Sequence, residues 1–129
     1  MDGKIIFSIG YSNRSKEEFL DLLKEYKIEA IADVRRFPTS KIEIYKKENL
    51  KRILDKIEYF HFENLGGLRY DYANWMESEE WKKDYEKLKE IAEAKRTAIL
   101  CAEKKPAACH RRHILKKMEE EGWEVINII

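Results

Sequence analysis

Five short apolar runs alternate with stretches of helical periodicity, and this alternation limits the possible fold more than any other feature of the chain. Residues 5–8 form the first run, and residues 28–34 form the second, which is nearly continuous with Asp33 inside it. A nearly continuous apolar run is typical of a parallel strand that is buried on both faces. Between these two runs, Ser15 and Glu18 form a capping-box pattern, which predicts that a helix begins there.

The same unit of strand and helix repeats along the rest of the chain. The further predicted elements are a helix at about residues 47–56, strands at residues 59–62 and 97–100, a helix begun by Ser78, a helix that starts near Cys109, and a last strand at residues 123–129. Because parallel strands need long crossovers, this order predicts an α/β fold with three layers, α/β/α, around a mostly parallel five-stranded sheet. A chain of 129 residues is about one domain, so we expect residues 1–129 to form a single α/β domain.

The charge content limits the kinds of partner that the protein can attract. Charged residues make up 40% of the chain, but the 26 basic and 25 acidic residues nearly cancel. No global field therefore draws the protein to nucleic acid or to anionic lipid, and any attraction must be local. A high, balanced content of this kind resembles hyperthermophile proteins. The N-terminus lacks a signal-peptide pattern and no apolar run approaches the ~18 residues of a membrane span, so we expect a cytoplasmic protein.

Arginines follow the predicted strands, at the edge of the sheet where such folds bind ligands. A guanidinium group offers a fork of donors that suits phosphate, sulfate or carboxylate. The predicted anion-binding residues are Ser12, Asn13, Arg14, Arg35, Arg36, Arg69 and Arg111. The alternative, which applies to any one of these arginines taken alone, is that it faces water or pairs with a nearby glutamate. The four loops together favour an anion site.

Both cysteines and two of the three histidines lie between residues 97 and 118. Cys109 comes near a helix N-terminus and beside His110 and Arg111. The helix N-terminus and both side chains lower the pKa of a thiol. We therefore interpret Cys109 as a candidate nucleophile or redox thiol, with His110 as its partner. Rhodanese-like and thiol phosphatase sites place the nucleophile at the strand end, where Cys101 stands here, but ten residues from Cys101 to Arg111 exceed their tight phosphate loop.

A second interpretation of this segment is a metal site formed by Cys101, Cys109 and His113, together with His110. Cys109 and His113 are four residues apart and could share a helix face, but the spacing fits none of the usual zinc patterns. A third interpretation makes Cys101 a small buried strand residue and His110 a hydrogen-bonding residue at the helix start. We prefer the third for Cys101 but not for His110, and we expect no cofactor and no metal.

Two acids complete the set of candidate catalytic residues, which are Cys109, His110, Asp33 and Glu103. Asp33 stands inside an apolar strand, and a buried carboxylate is costly unless it is paired. We expect an arginine or the Ser12–Asn13 loop as its partner, and a general-base role is the alternative. The long connection at residues 63–77 is typical of a lid or binding loop. Its aromatic residues either stack on a base or sugar or, more commonly, seal a core edge; they are Tyr70, Tyr72 and Trp75.

Four motifs resemble, in order and spacing, the domain of unknown function 488 (DUF488) family. They lie at residues 10–14, 33–40, 65–67 and 101–111. The resemblance implies a small cytoplasmic α/β protein, and it strengthens the fold and the site more than the function, because the family has no settled activity. The characteristic residues that it implies are Ser12, Asn13, Arg14, Asp33, Arg35, Cys101, Glu103, Cys109, His110 and Arg111.

Three hypotheses about function follow. The first is an enzyme or binding protein for an anionic small molecule or nucleotide that carries phosphate. The second is a nucleic-acid-binding module, against which the near-zero net charge counts. The third is a metal-binding protein that uses its cysteines and histidines. The sequence does not identify the oligomeric state or the order of the strands.

Overall fold

The computed structural model describes residues 4–12, 14–35, 47–66, 71–101 and 110–128. Five strands form one sheet: β1 (Ile5–Gly10), β2 (Ala30–Asp33), β3 (Glu58–His61), β4 (Thr97–Cys101) and β5 (Glu124–Ile128). Their order is β3-β2-β4-β1-β5, and every neighbouring pair is parallel. The predicted α/β fold is thus confirmed, with a sheet that is parallel throughout. In register, Gly10 of β1 lies beside Cys101 of β4.

Five helices accompany the strands in the described part of the chain: α1 (Lys16–Glu25), α2 (Lys47–Ile53), α3 (Tyr72–Trp75), α4 (Glu79–Ala94) and α5 (Arg111–Glu120). The predicted capping box is present, because Ser15 Oγ accepts from the Glu18 N–H and Glu18 reaches back to the Ser15 N–H. Ser78 caps α4 through the Trp81 N–H. After α5 the chain turns at Gly122, whose φ of +98° favours glycine.

The short helix α3 differs from the open loop expected at residues 63–77. The Asp71 carboxylate accepts from the Asn74 N–H and so caps α3. A 3₁₀ turn at Glu63–Leu65 orders the start of the same connection. Residues 67–70 lie outside the described ranges, so a lid at that point stays a prediction.

The helices cover both faces of the sheet and make the predicted three layers. Phe19 and Leu23 of α1 join Leu50 of α2 in the core on one face. On the other face, Trp81 of α4 and Ile114 of α5 belong to a second core. Strand residues alternate between these two cores, which explains why the strand segments are apolar on both sides.

This arrangement makes the carboxyl end of β4 the point where the connections of neighbouring strands leave on opposite faces. Its neighbours β1 and β2 continue toward α1 and α2 on one face, whereas β4 leads to α5 on the other. In parallel α/β sheets, ligands bind where connections from adjacent strands leave on opposite faces. The end of β4 is therefore the position from which a site should be built.

None of the helices in the described ranges is long and apolar enough to cross a membrane.

Candidate functional site

The end of β2 carries a buried ion pair. Asp33 is fully buried, and its carboxylate accepts hydrogen bonds from Arg35 Nε at 2.8 Å and from Arg35 Nη2 at 2.7 Å. The Arg35 N–H adds a third bond at 3.1 Å, and the Tyr59 hydroxyl donates to the same carboxylate. Four donors thus offset the cost of burying this charge. The expected arginine partner of Asp33 is Arg35, and the geometry favours a structural role over that of a general base.

The same contacts fix the protonation of both donors. Burial alone lowers the pKa of Arg35, but its hydrogen bond to Asp33 and the charge of Asp33 raise it overall, so the guanidinium stays charged. Burial and then the negative charge of Asp33 raise the pKa of the Tyr59 phenol, which therefore stays a neutral donor. Tyr11 also contacts this group, since Arg35 Nη1 lies 3.5 Å from its hydroxyl and Arg35 Cζ lies 5.4 Å from its ring centre.

Two histidines hold the backbone that follows β2. Nε2 of His110 lies 2.8 Å from the Val34 carbonyl oxygen, and Nε2 of His61 lies 2.7 Å from the Arg35 carbonyl oxygen. A carbonyl can only accept, so each ring nitrogen donates. Burial lowers the pKa of His110, against the effect of the Val34 bond and with the help of the Arg111 charge. His110, the predicted partner of Cys109, is therefore neutral and bound to the end of β2.

Two further arginines bind carbonyl groups at the end of β1. Arg14 Nε donates to the Gly10 carbonyl at 2.7 Å, and Arg14 Nη2 lies 3.3 Å from the Ile128 carbonyl. Arg111, the first residue of α5, places Nη1 3.4 Å from the Ile9 carbonyl. Only 7% of Arg14 and 0% of Arg111 are exposed. The structure thus brings the predicted residues Arg14 and Arg111 to the end of β1 from opposite layers.

The charged side chains that are buried in the described part of the chain all lie at this edge. Of the described charged residues that are buried, three are arginines and Asp33 is the single carboxylate. Asp33 pairs with Arg35, whereas the hydrogen bonds given above for Arg14 and Arg111 are made to neutral carbonyl groups. Guanidinium groups brought to one edge are the forked donors that suit an anion.

The structure changes the interpretation of Cys101 and of the alternative metal site. Cys101 is a buried residue of β4, as expected, and it is also disulfide-bonded, which the sequence analysis did not predict. A sulfur in a disulfide is not a thiolate ligand, which removes Cys101 from the alternative metal site. The described residues contain no group of three or more potential metal-binding side chains. The His113 ring instead stacks on Tyr72, with ring centres 5.1 Å apart.

Several predicted site residues cannot be placed. Asn13, Arg36, Arg69, Glu103 and Cys109 lie outside the described residues, as does Tyr70. Ser12 is described and half-buried in the connection from β1 to α1. The roles predicted for these residues stay predictions.

The aromatic residues of the third connection are bound to the protein itself. The Tyr72 hydroxyl donates to the Leu65 carbonyl at 2.7 Å and accepts from Trp81 Nε1 at 2.9 Å. Trp75 Nε1 donates to the Asn64 carbonyl at 2.6 Å. Both rings also pack against the core that contains Trp81. These contacts favour the interpretation that Tyr72 and Trp75 seal a core edge.

Tyr11 and Tyr59 are site residues that the sequence analysis missed. Tyr59 lies beside Ile31 in the sheet, and side chains two residues apart in a strand share a face, so Tyr59 and Asp33 lie on the same face. A tyrosine in a strand predicted near a buried aspartate could have been considered as its donor. That step needs β3 to be the neighbour of β2, which the sequence alone does not give.

Comparison with known proteins identifies the family of this chain. Neither the curated proteins nor the solved structures contain a match to it. The family model described as "Domain of unknown function DUF488" matches residues 15–71 and 67–118, which together cover most of the chain. The polar edge described above falls largely within that match, and the chain belongs to the DUF488 family.

Proposed function

We propose that this protein binds an anionic small molecule or nucleotide that carries phosphate, at the carboxyl ends of β1 and β4. The single observation that carries the proposal is that two buried guanidinium groups, those of Arg14 and Arg111, bind carbonyl groups at the end of β1. A bound oxyanion would accept charge-assisted hydrogen bonds from such groups. The opposite departures of α1 and α5 support the same location.

The arginines of the site have different roles in this proposal. Arg35 uses Nε and Nη2 to hold Asp33, so it positions the end of β2 and leaves the anion to others. Arg14 and Arg111 contact the anion, with Ser12 beside them. The predicted roles of Asn13, Arg36 and Arg69 in the same site belong to this proposal as well. Anchoring each guanidinium through a strand carbonyl fixes its direction before the ligand arrives, which reduces the entropy cost of binding.

A catalytic step is a further part of the proposal. Cys109 would act as nucleophile or redox thiol in the reduced protein, with Glu103 and His110 near it. The position of His110 on the Val34 carbonyl supports a site close to the ends of β2 and β4. Turnover of a phosphate-bearing substrate that is abolished by Cys109→Ser, with ligand binding retained, would support this step. Equal turnover by the variant would remove the nucleophile.

Binding can be tested by calorimetry with pyrophosphate and ATP at low ionic strength. We expect Arg14→Gln to weaken binding by about tenfold or more, since charge-assisted hydrogen bonds contribute about 1.5–3 kcal/mol. Arg112→Gln is the matched control, because Arg112 is exposed on α5 next to Arg111. Circular dichroism should show that both variants stay folded.

Two outcomes would contradict the proposal. One is the absence of binding to either polyanion, and the other is an equal loss in Arg14→Gln and Arg112→Gln, which would indicate nonspecific attraction. Salt-dependent binding of a single-stranded oligonucleotide in place of both small polyanions would instead favour the nucleic-acid hypothesis.

A further inference from the structure

β3 is an edge strand of the sheet that the described residues form. Within the described ranges, no strand pairs with it other than β2. The N–H groups of Glu58 and Phe62 donate to carbonyls on the β2 side, at 3.0 Å and 2.9 Å. In a parallel ladder, alternate residues face opposite directions, so Tyr59 and His61 turn their N–H and C=O groups outward. An edge of this kind is a template for another strand.

A cleft of about 640 Å³ runs along this edge. Its floor is formed by residues 59–62, and its walls come from Lys51 of α2 and from one side of α4. The α4 residues in the wall are Asp84, Lys87, Glu90 and Ile91. Because α2 and α4 lie on opposite faces of the sheet, the exposed strand edge lies between the two walls.

The charge and polarity of the cleft point to its occupant. Its ionised side chains are two lysines, one aspartate and one glutamate, so the surface carries both signs and no net charge. A strongly acidic or basic peptide would find no complementary field there, whereas a copy of the same surface meets no net repulsion. Phe60 and Ile91 are only partly buried and pack against the same core. Each would gain burial from an identical pair placed opposite.

We propose that the cleft binds a second copy of this chain, with β3 pairing antiparallel to β3 of the partner subunit. A two-fold axis at Phe60 sets Tyr59 opposite the partner's His61, and each such pair exchanges both N–H···O=C bonds. Phe60 then faces the partner's Phe60 in a non-hydrogen-bonded pair, where Cα atoms approach to about 4.5 Å. The two sheets become one continuous sheet, and the Ile91 side chains meet on one face of it.

The first test measures mass and amide exchange on the full chain. Light scattering with gel filtration should give twice 15.5 kDa at high concentration and 15.5 kDa on dilution. In the dimer, hydrogen exchange should protect the amides of Tyr59 and His61, and this protection should be lost on dilution. The amides of Phe60 and Phe62, which face β2, should stay protected in both states.

The second test uses a pair of variants on α4. Ile91→Glu places two carboxylates near the axis and should yield a monomer. Lys82→Glu is the matched control, because nine residues at 100° each put it on the opposite side of α4, and it should stay dimeric. A monomeric wild type at every concentration would overturn the proposal. So would a dimer whose Tyr59 and His61 amides exchange freely, since its interface would then lie elsewhere.

Discussion

Replacing Asp33 with asparagine should destabilise the protein strongly. The substitution keeps the shape of the side chain but removes the charge that holds Arg35, and both residues are at least 94% buried. Water cannot replace the lost partner, so Arg35 loses the buried carboxylate that accepts three of its hydrogen bonds, and the Tyr59 hydroxyl loses its anionic acceptor. Breaking a buried pair from one side costs about 3–5 kcal/mol. That is a large share of the roughly 5–15 kcal/mol that stabilises a domain.

The free energy of unfolding can be measured by urea denaturation followed by circular dichroism. The double variant Asp33→Asn with Arg35→Met should lose less than the sum of the two single variants, because it removes both members of the ion pair together. Glu77→Gln is a control, since Glu77 forms an exposed ion pair with Lys82 at 3.9 Å and should change little. A loss under about 1 kcal/mol for Asp33→Asn would refute the reasoning, because it would mean that the pair is well solvated.

Two predictions concern pH. The pKa of Tyr59 is raised by burial and then by the charge of Asp33, and that of Tyr85 by burial and then by its hydrogen bond to Glu121, so the folded protein prefers both phenols protonated. With respect to these phenols, the free energy of unfolding should therefore be constant through neutral pH and fall above about pH 10, where the unfolded phenols ionise. Phenolate absorbance that appears before the protein unfolds would contradict this prediction. Burial lowers the pKa of His110 below 6.5, so the unfolded chain takes up this proton first and stability should fall as the pH drops below about 6.5. Titration of the His110 ring by NMR checks the sign, and a midpoint at or above 6.5 would show that the ring is not held neutral.

The sequence was sufficient for the elements with strong local signals. Ser15 and Ser78 cap the helices that they were expected to begin, because a cap depends on residues only three positions away. The short helix at Tyr72–Trp75 was missed, since four residues carry no measurable periodicity and its stability comes from the Asp71 cap and from packing on the core. The disulfide of Cys101 was missed as well, because the spacing of two cysteines does not show whether their sulfur atoms meet.

The sequence by itself determined that apolar strands alternate with amphipathic helices, that Asp33 would need a partner, and that arginines would gather at one edge of the sheet. These features depend on period, burial cost and the direction of parallel strands, all of which are local or general. Only the tertiary structure decided which arginine takes the carboxylate. Arg35 binds Asp33 while Arg14 and Arg111 bind strand carbonyls, because the order β3-β2-β4-β1-β5 sets which strand ends are neighbours. Side chains of the same residue type thus acquire different roles, because their partners are residues distant along the chain.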